Sequence, residues 1–337
     1  MSQTVINPLL SSSAQAAELI NTGALVAFPT ETVYGLGADA FKESAVLKIF
    51  STKGRPANNP LIVHTNSIER LSEAVVLPNA LTEPEIFAQT KALLKLWPGP
   101  LTIVLQKASQ ISLSVTNNGE FVGVRIPAHP LALQFLALCN NPVAAPSANR
   151  SNYVSPTTAQ HVATEFNGVI PVLDGGACGL GIESTVVQPT VDGIIIHRPG
   201  YVTAEQIESL AGSVITGPII LGPKIEHPVS PGQLSLHYAP KIPCYDLKDL
   251  PTGLTRVTVL GLTADIAQHV GNFPASWSLQ PFDTLINYAA KLYLTLRGID
   301  EMVANGTQSL QAIAVIAPTA SGLGLAIADR LSRATHR

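Results

Sequence analysis

The apolar positions follow two rhythms. Short apolar runs bounded by Gly, Pro or polar residues recur at 24–28 (ALVAF), 61–65 (LIVHT), 101–105 (LTIVL), 121–127 (FVGVRIP) and 143–149 (VAAPSAN). Runs of that length read as buried strands. Between them the apolar spacing changes to three and four. That spacing predicts helices at 13–21, 43–51, 82–96, 130–139, 157–166 and 203–211. In the second of these, Ala45, Val46, Ile49 and Phe50 share one side. Thr82 with Glu85, and Thr203 with Gln206, have capping-box spacing, and Thr157 or Thr158 sits where a helix cap belongs. Segments 168–176, 183–189 and 193–200 are β-rich. Strands alternating with helices predict an α/β fold.

The rhythm lapses at 217–243, which is rich in Pro and Gly and reads as a linker. Long loops in compact proteins often carry function. The stretch 230–240 (SPGQLSLHYAP), with Ser230, His237 and Tyr238, is a candidate lid over a cleft. Strand patterns return at 256–260 and 312–317, and helical patterns at 282–303 and 323–334. The expected organisation is a larger unit at 1–216, the linker, and a small open α/β unit at 244–337.

Polar groups cluster at the predicted strand ends, where α/β folds bind ligands. Pro29 stops the first strand, and Thr30, Glu31 and Thr32 follow, then Gly35 and Gly37. Two glycines there predict a sharp bend or a closely approaching ligand. In KGRPANNP (53–60), Lys53 and Arg55 flank a glycine and a proline ends the helix. They suit a phosphate chain, although cations at a helix C-terminus are also favoured simply as a solvated end. His64 ends a strand, where a satisfied structural histidine is the simpler reading. Arg125 lies inside an apolar run and needs an anion, either a structural or a substrate carboxylate. Ser147, Asn149, Ser184 and Arg198 are further polar groups at strand ends, with turn-capping as their alternative role. Together they fit an anionic small-molecule site better than a set of independent caps.

Composition narrows this reading. Apolar residues make up 46% and charged residues 13%, ample for a core. A net charge of −3 does not fit a generic polyanion binder. No apolar run approaches a membrane span, and MSQTVINPLLSSS lacks the form of a secretory signal. Cys139, Cys178 and Cys244 are far apart and form no zinc-type pair. A cytoplasmic protein with reduced thiols is expected. The chain has no Walker-type loop, full dinucleotide fingerprint or nucleophile elbow, and SGLGLAIADRL (321–331) is a weak glycine signal.

The blocks PTETVYGLGA, KGRP with NPLIVH, WPGPLT, VRIPAHP, APSAN, ESTVV and RPG occur in the order seen in YrdC-like domains. SPGQ, HYAP and the GLGLAIADRL ending resemble the longer, two-domain branch of that family, the threonylcarbamoyl-AMP synthases. The resemblance implies a YrdC-like twisted open sheet with a concave, positively charged cleft, followed by a smaller Rossmann-like domain. It implies synthesis of threonylcarbamoyl-AMP from L-threonine, bicarbonate and ATP with release of pyrophosphate. A separate transferase complex then serves tRNA, which this chain would meet only indirectly.

Carried over, Thr32, His64, Arg125, Ala145 and Ser184 resemble the threonine pocket. Lys53, Arg55, Asn59, Ser147, Asn149 and Arg198 resemble the ATP set, with Lys53 and Arg55 as the catalytic pair that neutralises developing charge. No protein metal site is expected, and Mg²⁺ would arrive with ATP. Where some members have a hydroxyl shortly before the VRIP-like arginine, this chain has Phe121. The alternative is an RNA-binding or regulatory YrdC-like module without synthase activity. Related domains in hydrogenase-maturation carbamoyltransferases accompany zinc-finger-like cysteine pairs, which this chain lacks.

Overall fold

The computed structural model describes residues 9–10, 12–211, 217–222 and 238–335. Strand β1 (Leu9–Leu10) is followed by α1 (Ser13–Thr22). Ser12 caps α1 by accepting from the Gln15 N–H, and Gly23 ends it in the left-handed region. β2 (Val26–Phe28) and β3 (Gly35–Asp39) form an antiparallel pair around the PTETVY turn. Next come α2 (Glu43–Lys53), β4 (Ile62–His64), α3 (Pro84–Leu93), β5 (Leu101–Gln106) and β6 (Phe121–Arg125). Then follow α4 (Pro130–Leu138), β7 (Val143–Ala144), α5 (Ala159–Glu165), β8 (Val172–Leu173), β9 (Thr185–Thr190), β10 (Gly193–Arg198), α6 (Ala204–Ala211) and β11 (Ile219–Leu221). These strands make one mixed 11-stranded sheet in the order β1-β8-β2-β3-β7-β4-β6-β5-β9-β10-β11.

The remainder is β12 (Cys244–Asp246), β13 (Val257–Leu262), α7 (Thr263–His269), β14 (Ser278–Phe282), α8 (Leu285–Ala304), β15 (Ala312–Val315) and α9 (Leu323–Ala334). Its four strands pair in the order β12-β15-β13-β14, all parallel. The α/β class and the small second sheet match the sequence reading.

Several local expectations need correcting. α3 begins at Pro84, and Thr82 makes no cap; Pro at the first helical position sets the start instead. The second capping box forms, with Thr203 and Gln206 bonded reciprocally. α2 is ended by Gly54 at φ 60°, not by the proline. Within the expected linker, Ile219–Leu221 pairs in parallel with β10. Phe282 ends strand β14 rather than starting a helix. The glycines at 35 and 37 mark no sharp bend. They lie in β3, and a Cβ on Gly37 would stand 2.9 Å from Val143 Cγ1 and 3.1 Å from the Phe28 ring. Close approach of neighbouring strands explains Gly37.

Strand alternation divides the core. Val26 and Phe28 face α1 and α4 with Ala16, Ile20 and Phe135, whereas Ala27 faces the main cluster on the other side. In the small sheet, Leu260, Ile313 and Val315 pack against α8 and α9, and Val257, Val259 and Ala314 face away. The same helices reach Val33, Val154 and Ile182 of the larger unit. Contact there is close. A Cβ on Gly181, whose φ is +74°, would lie 2.4 Å from the Ala290 carbonyl of α8.

Candidate active site

The polar strand ends meet in one cleft. Thr30, Thr32, Val33 and Gly35 come from the β2–β3 turn, Ile62 and His64 from β4, and Arg125 from the end of β6. Ala145, Pro146 and Ser147 form the turn after β7, and Tyr238 closes one side with Glu183, Ser184, Arg198 and Arg55. β9 and β10 are antiparallel, so Ser184 before the one and Arg198 at the end of the other are neighbours. The cleft holds about 520 Å³ with its mouth included.

Thr30 organises the first turn. Its hydroxyl donates to the Val33 carbonyl (2.6 Å), accepts from the Thr32 and Val33 N–H groups, and shares a 2.8 Å hydrogen bond with the Thr32 hydroxyl. Thr32 in turn accepts from Arg125 Nη1 at 3.0 Å. Arg125 also donates to the Gly99 carbonyl (3.2 Å) and ion-pairs with Glu31 at 2.6 Å. The structure thus supplies the anion that Arg125 requires from Glu31, a strand-end residue to which the sequence reading gave no role. Glu31 is tied in place by the Ala128 N–H at 3.1 Å. Three of the five guanidinium donors are used in these contacts, which leaves the fork able to meet a second carboxylate.

His64 is buried, packs edge-on against Phe28, and its Nδ1 has no hydrogen-bond partner. Burial, and then the Arg125 charge, push its pKa down to about 3, so it is neutral near pH 7. Ser184 bonds the Thr102 hydroxyl (2.8 Å), and Arg198 donates through Nε and Nη2 to the Ser184 carbonyl. Arg55 faces the cleft while donating to the carbonyls of Asn59 (3.0 Å) and Pro60 (2.9 Å).

Lys53, Asn59 and Asn149 are not in the cleft lining. Lys53 is buried, not a solvated helix end, and its Nζ donates to the carbonyls of Ser147 (2.6 Å) and Asn149. Burial, and then the Arg55 charge, hold its pKa well below the usual lysine range. Asn149 donates to the Arg150 and Tyr153 carbonyls and accepts from Ser147 Oγ at 2.5 Å. Asn59 Oδ1 is buried without a partner. Phe121 is exposed at the start of β6, away from the cleft lining. Of the candidate lid residues, Ser230 and His237 lie outside the described residues; Tyr238 lines the cleft. Among the described residues no group of three His, Cys, Asp or Glu could hold a metal ion, and no helix is long and apolar enough to cross a membrane.

Glu183 is the other residue that sequence reasoning missed. It lines the cleft, yet its carboxylate accepts from Ser155 (2.7 Å), Tyr293 (3.0 Å) and Arg330 (2.9 Å). Burial alone would raise its pKa, but Arg330 and then Arg198 outweigh that and hold it at about 2. The only sequence signal was its position beside Ser184 in the ESTVV block.

A family model described as "Telomere recombination" matches residues 18–200, and one described as "Threonylcarbamoyl-AMP synthase, C-terminal domain" matches 202–335. A threonylcarbamoyl-AMP synthase from Pyrococcus abyssi is 38% identical over 334 residues, covering 95% of this chain and 93% of its own. This chain belongs to the threonylcarbamoyl-AMP synthase family. A family member from Bacillus subtilis is also 38% identical over 334 residues, covering 95% and 92%. The crystal structure of P. abyssi Sua5 complexed with L-threonine superposes with a TM-score of 0.78 at 35% identity, over 96% of this chain and 94% of that one. The two-domain branch of the threonylcarbamoyl-AMP synthase family is therefore the right frame for the cleft.

Proposed function

We propose that this chain makes L-threonylcarbamoyl-AMP from L-threonine, bicarbonate and ATP, releasing pyrophosphate, for threonylcarbamoyl modification of tRNA. The observation that carries the reading is end-to-end kinship with proteins named for that synthesis. A cleft bearing three guanidinium groups and buried hydroxyls accords with it.

In this reading the threonine amine and bicarbonate form a carbamate with loss of water. A carbamate oxygen attacks the α-phosphorus of ATP, and the bond to the bridging oxygen of pyrophosphate breaks. No covalent enzyme nucleophile is needed; the protein positions anions and neutralises charge. Arg125 takes the threonine carboxylate beside Thr32, with His64, Ala145 and Ser184 completing the pocket. Arg55 and Arg198 meet the phosphates, together with Ser147. Lys53 and Asn149 act from behind the wall, fixing the 147–149 turn, and Asn59 anchors Arg55 through its carbonyl. Mg²⁺ enters as part of the MgATP substrate. The product passes to a separate transferase in the cytoplasm, and tRNA is met only there. An RNA-gripping role draws no support from the net charge of −3 or from cationic groups sunk inside a small cleft.

The test is release of pyrophosphate from MgATP by the purified chain, with threonine and bicarbonate each omitted in turn. Dependence on both is expected. Release that is indifferent to threonine would overturn the assignment.

A further inference from the structure

The most elaborate buried polar cluster outside the substrate contacts joins the cleft to the C-terminal domain. Arg330 of α9 is completely buried. Its Nε donates to Glu183 at 2.9 Å, its Nη2 to the Pro199 carbonyl at 3.0 Å, and its Nη1 pairs with Asp329 at 2.6 Å. The guanidinium also lies 5.3 Å from the centre of the Tyr238 ring. Tyr293 of α8 donates to the same Glu183 oxygen and stacks on Tyr238 at 5.4 Å.

Each contact lands on the cleft wall beside a residue that faces substrate. Glu183 precedes Ser184, whose carbonyl holds Arg198; Pro199 follows Arg198; Tyr238 is wall itself. A carboxylate lining the same cleft as Arg55, Arg125 and Arg198 would otherwise be free to turn inward and compete with phosphate. Here its donors are already supplied from behind.

We propose that Arg330 and Tyr293 are positioning residues for the nucleotide half of the cleft: they draw Glu183 back from the arginines and thereby fix the 183–184 turn that aims Arg198. The C-terminal domain thus completes the active site from inside. The proposal rests on the synthase reading only in assigning Arg198 to the nucleotide. The groups facing Glu183 are Ser155, Tyr293 and Arg330 by hydrogen bond, with the Arg198 charge and the Tyr238 phenol nearby.

The experiment is calorimetric titration of MgATP between about pH 5 and pH 8. It uses wild type, Arg330→Gln, Tyr293→Phe, and each of these combined with Glu183→Gln, with folding checked by circular dichroism. The wild-type affinity should follow only the phosphate protonation of the ligand itself, because Glu183 stays ionised throughout. Arg330→Gln should bind about tenfold more weakly at neutral pH, the scale of one lost charge-assisted hydrogen bond. Relative to wild type, its affinity should recover toward pH 5, where Glu183, deprived of its cation, takes up a proton and no longer competes with phosphate. That extra slope should vanish in the Glu183→Gln background. Tyr293→Phe keeps the ring stack on Tyr238. It should fold even if Arg330→Gln does not, and should lose about threefold to tenfold in affinity.

A folded variant with the affinity and the pH profile of the wild type would refute the positioning role. So would an extra slope over wild type that persists without the Glu183 carboxylate. Threonine-dependent pyrophosphate release by the wild type is followed in parallel. Its absence refutes the synthase reading while the ATP titrations still decide the positioning claim. A wild type that binds no ATP overturns both.

Discussion

Replacing Arg125 by Met removes a cation that serves two anions in this account, and the two effects separate. The first is structural. The Arg125 and Glu31 side chains are 5% and 14% exposed and pair at 2.6 Å. Removing one member of such a pair leaves a nearly buried carboxylate with the Ala128 N–H as its remaining donor. The cost is about 3 kcal/mol, the low end for breaking a buried pair. For a chain of 337 residues that lowers Tm by roughly 4 °C. The second effect is on substrate. Two charge-assisted hydrogen bonds to the threonine carboxylate contribute about 1.5–3 kcal/mol each. Their loss raises the half-saturating threonine concentration at least about 100-fold at fixed MgATP and bicarbonate. Arg125→Met combined with Glu31→Gln should recover most of the stability, since no uncompensated charge remains, but none of the threonine affinity. The assay is threonine-dependent pyrophosphate release beside thermal unfolding, for both variants. A double variant as stable as wild type with an unchanged threonine requirement would remove Arg125 from the pocket.

Other outcomes are expected on the same grounds. Lys53→Ala should lower both stability and nucleotide use, because it leaves the Ser147 and Asn149 carbonyls without their donor at about 1–3 kcal/mol each; a chain as stable as wild type in urea would contradict this. Gly37→Ala should cost about 1–3 kcal/mol by overpacking against Val143 and Phe28, seen as a lower urea midpoint, whereas an unchanged midpoint would show that β3 and β7 can part. His64 sits near pKa 3 when folded and near 6.5 when unfolded. Below about pH 6.5 the unfolded chain therefore gains a proton that the native state refuses, so stability present above that pH declines as pH falls toward 3. The decline should be shallower in His64→Gln, and its imidazole resonances in the wild type should not titrate between about pH 5 and 8.

Local chemistry in the sequence determined much of this protein. The α/β class, the helix caps at Thr158 and Thr203, and most elements of the larger unit follow from spacing and turn residues, which act within a few positions along the chain. Strands β12 and β14 escaped notice for a physical reason. One has three residues, and the other contains Pro281, which an edge strand tolerates and a central one does not. The ordered motifs also named most of the residues that line the cleft.

What only the tertiary structure decided was which charges face which. Arg125 and Glu31 are 94 positions apart, Lys53 and the Asn149 carbonyl 96, and Glu183 and Arg330 147. Spacing carries no information at such distances. The pairing depends on which side chains the packed sheets and α8–α9 bring together out of water, where an unpartnered charge or carbonyl is costly. Lys53 is therefore no solvated helix end but a buried donor to the Ser147 and Asn149 carbonyls. A stretch with only a weak glycine signal supplied Arg330, the cation on which a cleft carboxylate depends.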